Sequence, residues 1–402
     1  MPDPFAEDPS LVHHVDLNVP GTHVIALGIG HYDHLPGGGN TPTRHHLNLT
    51  QLSSPPISAR KVAAWFVENF DCAESPLASV SLVLSEPQPA EFTNKRTNRT
   101  STVPTGTMEE VRAALKAWMQ RAEVDPRSRV ILYFSGHGLS EGLQNLYLLR
   151  DYGKDSEDPL LGALNYQNFI AGLATRKPSS QFFLFDACRS VNPIAALNRN
   201  GGQGVFGAEL EGRNGITQPM QQSPIFSTEI DRQALGRANE ESLCARAFIR
   251  AMSGACSKRE GNCWYVTTDR IVEALTDFQN REAVKGKAKQ CADANSFAKI
   301  HLRRLAATPW IPVFVRLDDL SMAPKVRITA VRGGRQPEII SDPSSAGWQP
   351  REEWESQLEL GEYKFLAEHI EPGNAGIQPI TRDDTVCPIY IEVTLEVSQW
   401  RR

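Results

Sequence analysis

The stretch that decides the fold is Val130-Ile131-Leu132-Tyr133-Phe134-Ser135-Gly136-His137-Gly138, a continuous apolar run that ends in a glycine-flanked histidine. A second run of the same form is Gln181-Phe182-Phe183-Leu184-Phe185-Asp186-Ala187-Cys188-Arg189. Such runs, bounded by turn residues, are typical of strands buried on both faces of a parallel sheet. Ligands bind beyond the carboxyl ends of these strands, where His137 and Cys188 are both expected. The two runs therefore predict a site.

His137 and Cys188 form a chemically specific pair. An imidazole can hold a nearby thiol as the thiolate, which is the nucleophilic form of cysteine. The glycines beside His137 allow a sharp turn and the close approach of a substrate carbonyl to a main-chain N–H. Alone, a buried cysteine is usually an inert small side chain, and a histidine beside glycine is often a turn residue. Together, at the ends of two strands, they favour a nucleophilic site.

Strands and helices are predicted to alternate around these runs. Strands are expected at 24–30, 79–84 and 146–149, and a helix with helical apolar spacing at 58–70. Thr107-x-x-Glu110 is a capping box that opens another helix, and Asn165 caps a third. The proline- and threonine-rich segment 86–106 is predicted to be an exposed loop. Alternation with long crossovers predicts a mostly parallel sheet covered on both faces, a three-layer α/β/α sandwich.

The Ser-Gly-His-Gly and Asp-Ala-Cys-Arg motifs at the ends of the two runs resemble the peptidase core of caspases, metacaspases and their bacterial relatives. The resemblance covers about residues 20–315. It implies a cysteine endopeptidase in which Cys188 is the nucleophile and His137 the acid and base. The backbone N–H groups of Gly138 and Cys188 would stabilise the oxyanion. The sequence departs from animal caspases at Asp186 and Ser190, where they have Gln and Gly.

Asp186 is similar to the metacaspase arrangement, in which an aspartate at this place lines the specificity pocket and receives Arg or Lys. A partly buried carboxylate needs a cationic partner, which a basic substrate residue supplies. The resemblance therefore implies cleavage after basic residues, with Asp33 and Asp231 as further pocket candidates. Structural alternatives stay open for all three: Asp186 as a cap of a neighbouring backbone N–H, Asp33 as an exposed turn residue and Asp231 as a helix cap.

Residues 190–224 are rich in Gly, Asn and Gln, and are predicted to form a mobile linker. It would separate a large-subunit part, 21–190, from a small-subunit part, 225–318, with helices at 242–253 and 268–278. In caspases the equivalent place is often cut during activation. Arg199 and Arg213 lie in it and match the basic specificity, so they are candidate activation sites; an ordinary flexible loop is the alternative.

The C-terminal part has a different pattern. Residues 310–315 are predicted to be the closing strand of the peptidase domain, 21–318. From residue 322 apolar side chains alternate strictly with polar ones, as in 326–330 and 389–397, which predicts half-buried antiparallel strands. We therefore expect a small β-sandwich module over 322–402. Residues 1–20 are predicted to be a loose N-terminal leader.

Composition limits the partners and the compartment. The net charge of −5 provides no basic field for nucleic acid. Seven cysteines in 402 residues lack the density of a disulfide scaffold, which favours a reducing compartment. The N-terminus lacks signal-peptide features and no stretch is apolar enough for a membrane span. A cytoplasmic protein without nucleic-acid or membrane partners is expected, whose partners are a protein substrate and an activating protease or partner protein.

No cofactor is predicted. The cysteine and histidine spacings are poor matches to zinc sites, and nothing resembles a calcium loop, although some metacaspases respond to calcium. Two other functions stay open. One is a scaffold that keeps the fold without catalysis, against which the joint presence of His137, Gly138 and Cys188 argues. The other is a transpeptidase or ligase that passes the thioester to an amine. Analogy within the fold suggests a regulated bacterial protease in stress, cell death or defence.

Overall fold

The computed structural model describes residues 4–141, 144–188, 190–191, 201–209, 212–228, 238–282, 298–371 and 376–401. The chain divides into two compact units. The first comprises Met1–Ile249 with Thr267–Arg304, and the second comprises Arg250–Val266 with Leu305–Arg402. The candidate residues Arg199 and Asp231 lie outside the described residues.

The described helices and strands alternate through the first half of the chain, and strands dominate the last quarter. The α-helices are α1 (Pro4–Glu7), α2 (Ser54–Asn69), α3 (Met108–Ala122), α4 (Tyr166–Leu173), α5 (Leu243–Arg250) and α6 (Thr268–Glu282). The strands are β1 (Leu11–His14), β2 (Thr22–Ile29), β3 (Leu77–Ser85), β4 (Glu91–Asn94), β5 (Arg99–Thr102), β6 (Arg129–Gly136), β7 (Gly138–Glu141), β8 (Gln144–Leu148), β9 (Ala163–Asn165), β10 (Ser180–Ala187), β11 (Ser190–Val191), β12 (Gln221–Phe226), β13 (Lys258–Glu260), β14 (Cys263–Thr267), β15 (His301–Leu305), β16 (Trp310–Leu317), β17 (Val326–Val331), β18 (Glu338–Ser341), β19 (Trp354–Glu359), β20 (Gly361–His369), β21 (Ile380–Val386) and β22 (Ile391–Leu395).

A six-stranded sheet is the centre of the first unit, in the order β1-β3-β2-β6-β10-β12. Strand β1 runs antiparallel to β3, and the other neighbours are parallel. The two apolar runs that decide the fold are β6 and β10, which lie side by side in the sheet. Their apolar side chains from Val130 to Phe134 and from Phe182 to Phe185 are buried. This burial on both faces explains why the sequence reads as a continuous apolar run.

Helices cover both faces of this sheet. Gly28 of β2 faces α2, since an added Cβ would lie only 2.7 Å from the Cβ of Ala59. The neighbouring side chains Leu27 and Ile29 belong to the core that α3 and α4 fill on the opposite face. On the α2 face, Phe248 of α5 stacks on aromatic rings of the sheet. The predicted three-layer α/β/α sandwich is confirmed.

The helix caps predicted from the sequence are present. The Thr107 hydroxyl accepts from the N–H of Glu110, and the Glu110 carboxylate accepts from the N–H of Thr107, which is a complete capping box. The Asn165 side chain accepts from the N–H of Asn168 at the start of α4. Caps involve residues three apart in sequence, so the local pattern is sufficient to predict them.

The segment 86–106 is not a plain loop, which corrects the prediction. It contains a hairpin of β4 and β5, and the Asn94 side chain donates to the carbonyl of Val12 at 2.8 Å. The two strands have four residues each and few apolar side chains. Strands this short and polar resemble loops in sequence, because contacts with distant residues, such as that of Asn94 with Val12 of β1, are not visible in the local pattern.

The predicted linker 190–224 is also partly ordered. Val205 and Phe206 are buried in the core of the first unit. The backbone of Gln203 exchanges hydrogen bonds with Ala163 and Asn165, and β12 begins at Gln221. A pair of apolar residues in a glycine-rich stretch has no detectable period, so the sequence did not indicate this anchorage.

In the second unit, two sheets share one core. Their orders are β19-β16-β22 and β18-β17-β20-β21. Apolar side chains at alternate positions, such as Ile328, Phe365 and Val393, fill the core, as the period-two pattern predicted. Strand β16 does not close the peptidase sheet, which corrects that prediction. It pairs antiparallel with β19 and parallel with β22. The sequence of a buried apolar strand has the same apolar character in either sheet. It therefore does not indicate which strands it pairs with.

Within the described residues, no helix has both the length and the apolar character that crossing a membrane requires.

Candidate active site

The parallel register of β6 and β10 sets the geometry of the site. It pairs Asp186 with Ser135 and Ala187 with Gly136, and β11 resumes the pairing with β7 at Ser190 and Leu139. His137 and Cys188 each follow the last paired residue of their strand. The two residues therefore lie side by side at the carboxyl edge of the sheet, as the sequence predicted.

The backbone at this edge is closely packed. A Cβ on Gly138 would lie 2.4 Å from the carbonyl oxygen of Cys188 and 3.2 Å from the Cβ of Ala187. Only glycine allows this approach, which explains why a glycine follows the histidine at position 138. Cys188 itself is partly exposed and forms no disulfide with any cysteine that the structure describes. A partly exposed thiol beside a histidine is suited to act as a nucleophile.

A backbone carbonyl orients the His137 ring. Its Nε2 lies 2.7 Å from the carbonyl oxygen of Thr50. A carbonyl oxygen only accepts hydrogen bonds, so Nε2 holds the proton and Nδ1 is the basic nitrogen of the neutral ring. Burial lowers the pKa of His137, while the bond to Thr50 acts in the opposite direction. The neutral ring is thus favoured at pH 7 and can accept a proton at Nδ1.

Tyr32 holds the main chain of the same histidine. Its hydroxyl accepts from the N–H of His137 at 2.8 Å and donates to the carbonyl of Ile29 at 3.0 Å. Its ring centroid lies 5.0 Å from that of the imidazole. Burial raises the pKa of Tyr32 far above its usual value, so the side chain stays a neutral phenol.

Tyr32 and Thr50 were missed by the sequence analysis. They lie 105 and 87 residues before His137, and neither belongs to a local motif around it. The available signal was weak: Tyr32 closely follows β2, whose carboxyl end lies at the same edge as those of β6 and β10.

Asp186 is buried below this edge, with 3% of its surface exposed. Its Oδ2 accepts from the Tyr133 hydroxyl at 2.7 Å and from Ser135 at 3.4 Å, and also from the hydroxyl of Ser242. Burial raises the pKa of this carboxyl, and the hydroxyl donors offset part of that effect. The partners that the structure describes for Asp186 are hydroxyl groups, so its charge has no described counter-ion.

Asp33 differs from Asp186 in its partners. Its carboxylate lies 3.0 Å from Nε of Arg150 and 3.4 Å from Nε2 of His31. The Arg150 guanidinium also donates to the carbonyl of Glu86. A resident cation therefore already neutralises Asp33, which favours a structural ion pair over the predicted role in receiving a substrate cation.

Arg213, a predicted activation site, is anchored. Its guanidinium donates to the carbonyl oxygens of Arg176, Lys177 and Gln218 and to the hydroxyl of Ser179, at 2.7 to 3.1 Å. A protease requires an accessible, extended segment, so these bonds disfavour cleavage beside Arg213 in the folded chain.

Among the residues that the structure describes, three or more His, Cys, Asp or Glu side chains are nowhere grouped so that they could hold a metal ion.

Comparison with known proteins adds three findings. Residues 48–299 match the family model of the caspase domain, peptidase family C14. The uncharacterized protein y4kE of Sinorhizobium fredii (strain NBRC 101917 / NGR234) is 24% identical over 213 residues, covering 52% of this chain and 60% of that protein. Caspase-1 from Spodoptera frugiperda is a similar solved structure, with a TM-score of 0.39 and 13% identity over 73% of this chain and 95% of that one. The matched region of the family model contains His137 and Cys188.

Proposed function

Because this chain belongs to the caspase-domain family of cysteine peptidases, we propose that it hydrolyses peptide bonds of protein substrates with Cys188 as nucleophile and His137 as acid and base. The observation that supports this proposal best is the register that brings the two residues together at the carboxyl edge, with Nε2 of His137 bound to the carbonyl of Thr50. That bond leaves Nδ1 available for the thiol proton.

The proposed reaction has two halves. The Cys188 thiol gives its proton to His137, and the thiolate attacks the carbon of the scissile carbonyl group. The π electrons of that C=O bond move to its oxygen. The backbone N–H groups of Gly138 and Cys188 donate to this oxyanion. Collapse of the intermediate breaks the C–N bond, and His137 returns the proton to the leaving amine. A water then loses a proton to His137, attacks the thioester and releases the acid and the free thiol.

We also propose cleavage after Arg or Lys. The support is Asp186, two residues before the nucleophile, whose described partners are uncharged hydroxyls. A guanidinium or ammonium that reached this carboxylate would supply the missing opposite charge in a low-dielectric setting. Because Asp186 is 3% exposed, a basic substrate residue can reach its carboxylate only if the side chains that cover it move apart. Asp33 is not needed for this pocket, since it already pairs with Arg150.

Peptide hydrolysis tests both proposals. Fluorogenic peptides ending in Arg, Lys or Asp are incubated with wild type, Cys188→Ala, His137→Ala and Asp186→Asn, with calcium and with a chelator. The control is Cys263→Ala, which removes another partly exposed thiol. We expect cleavage after Arg and Lys that the chelator does not affect, that Cys188→Ala and His137→Ala abolish, and that Cys263→Ala preserves.

Other outcomes separate the alternatives. Cleavage after Asp would keep the peptidase and remove the pocket assignment. Cleavage that survives Cys188→Ala would refute the nucleophile. With an added amine, product masses distinguish hydrolysis from transfer of the acyl group, which would indicate a ligase.

A further inference from the structure

We infer that Gln51 and Tyr32 are positioning residues that hold the His137 ring in its catalytic orientation. Together with Thr50 they form a hydrogen-bonded network that contacts both the main chain and the imidazole of His137. This inference rests on the proposed function, because it gives His137 its role. Neither Gln51 nor Tyr32 belongs to the motifs from which the site was predicted.

The Gln51 side chain binds the main chain of Tyr32 from both sides. Its Oε1 accepts from the N–H of Tyr32 at 2.8 Å, and its Nε2 donates to the carbonyl of Tyr32 at 3.0 Å. Nε2 also lies 3.1 Å from the carbonyl oxygen of Pro36. These partners allow one orientation of the amide only, since an N–H must face the oxygen and the carbonyls must face the nitrogen.

These two bonds take the place of the backbone hydrogen bonds that would join two neighbouring strands. In a sheet, a residue of one strand exchanges N–H and C=O bonds with its neighbour. The segment after β2 and the segment before α2 have no such ladder here, and the Gln51 amide makes the equivalent two bonds from a side chain. The N–H of Leu52 adds a bond to the carbonyl of Gly30 at 2.9 Å. The two segments are thereby fixed to one another beside the site.

Gln51 is linked to both groups that bind His137. Its preceding residue is Thr50, whose carbonyl accepts from Nε2 of the histidine. Tyr32, which Gln51 holds, accepts from the main-chain N–H of the same histidine. The ring and the backbone of His137 are therefore bound by two groups that Gln51 links. Gly136 leaves room for this arrangement, since a Cβ there would lie 3.0 Å from the Tyr32 hydroxyl.

A positioning role predicts a particular kinetic pattern. The described hydrogen bonds of Gln51 and Tyr32 are to the histidine and to the segments that support it, so their loss should disturb proton transfer more than substrate binding. In Gln51→Met and Tyr32→Phe we expect kcat to fall roughly 10- to 100-fold with KM nearly unchanged. Both substitutions keep the size and the neutral charge of the side chain.

The decisive measurement is the reactivity of Cys188 itself. The rate of its alkylation by iodoacetamide is followed from pH 5 to pH 9, with the modified residue identified by mass spectrometry. This rate reports how His137 activates the thiol and requires no peptidase substrate. We expect Gln51→Met and Tyr32→Phe to shift the pH profile toward that of His137→Ala. Thermal unfolding of each variant is measured in parallel.

Two matched controls remove similar hydrogen bonds elsewhere. Gln203→Met deletes an amide that donates to the carbonyl of Leu161, and Tyr152→Phe deletes a hydroxyl that donates to the carbonyl of His45. Both controls should retain the wild-type alkylation profile. If Gln51→Met and Tyr32→Phe also retain it while His137→Ala changes it, the positioning role is refuted and the catalytic pair stands. If His137→Ala leaves the profile unchanged, the catalytic pair fails, and the positioning role fails with it.

Discussion

At the scale of single residues, Asp186 combines a cost in stability with a proposed gain in recognition. Its carboxyl is buried, and burial raises its pKa. Since the folded chain holds this proton more tightly than the unfolded chain, ionisation of Asp186 lowers the free energy of unfolding as the pH rises above the usual aspartate value of about 3.9. The described partners of Asp186 are uncharged hydroxyls, so within the described residues burial disfavours its ionised form without an opposite charge to offset it.

Asp186→Asn should stabilise the chain and reduce its activity toward basic peptides. We expect the free energy of unfolding at pH 7 to rise by on the order of 1 kcal/mol, with the difference from wild type disappearing near pH 4. Urea titrations at pH 4, 5 and 7 measure this, alongside hydrolysis of Arg and Asp peptides. A less stable Asn variant with full activity after Arg would contradict both expectations.

Gly138→Ala tests the close approach of the two strand ends. The added Cβ would lie 2.4 Å from the Cys188 carbonyl oxygen, so the nucleophile must move. A displacement of this kind costs roughly 100-fold in kcat. Gly207→Ala is the matched control, because a Cβ there meets no atom within 4 Å. Equal peptidase activity in the two variants would contradict the proposed geometry.

At the scale of elements, β1 and β2 place two buried histidines away from the candidate site. His13 and His23 both have a pKa lowered to about 4, first by burial and then by Arg96 for His13 and Arg121 for His23. The unfolded chain binds these protons from about pH 6.5 downward, and the folded chain does so only near pH 4. Stability present at pH 7 is therefore lost as the pH falls through this window.

The His23→Gln variant should lose part of this acid sensitivity. Each extra proton on the unfolded chain steepens the fall in unfolding free energy by about 1.4 kcal/mol per pH unit. Urea titrations at pH 7, 6 and 5 should show a shallower fall in the variant than in wild type, whatever its stability at pH 7. Gln203→Met, which replaces a side-chain amide that does not titrate, is the control and should keep the wild-type slope. An unchanged slope in His23→Gln would contradict the assignment.

Elements differ in how far the sequence predicts them. The caps of α3 and α4 and the buried strands β6 and β10 depend on residues close in sequence, and were predicted. The β4 and β5 hairpin was missed, because its stability depends on contacts such as that of Asn94 with β1. Strand β16 was predicted as a strand but assigned to the wrong sheet, since local apolar character does not identify partners.

At the scale of the whole molecule, the two units alternate along the chain. The second unit includes Arg250–Val266, which lies between α5 and α6, as well as Leu305–Arg402. Strand β16 packs its buried side chains Ile311, Val313 and Val315 in the core of that unit. The boundary near residue 321 suggested by the change of sequence pattern thus falls inside one hydrophobic core.

A chain ending at residue 321 should therefore be unstable or aggregated. It loses β19 and β22, which pair with both edges of β16, and exposes the apolar side of that strand. Size-exclusion chromatography and thermal unfolding against the full chain measure the effect. A monomeric truncated chain with the full chain's unfolding temperature and Cys188 alkylation rate would contradict this expectation.

The sequence by itself determined the sandwich, the family and the neighbourhood of His137 and Cys188. Apolar runs, glycines and the reactive residues that end them are local, and parallel strands bring their carboxyl ends to one edge. Only the tertiary structure decided which groups hold the histidine, because Tyr32 and Thr50 lie 105 and 87 residues away from it. The tertiary structure also decided that Asp33 forms an ion pair with Arg150. The described partners of Asp186 are, in contrast, hydroxyl groups. Contacts over such separations depend on how whole elements pack, which no local pattern records.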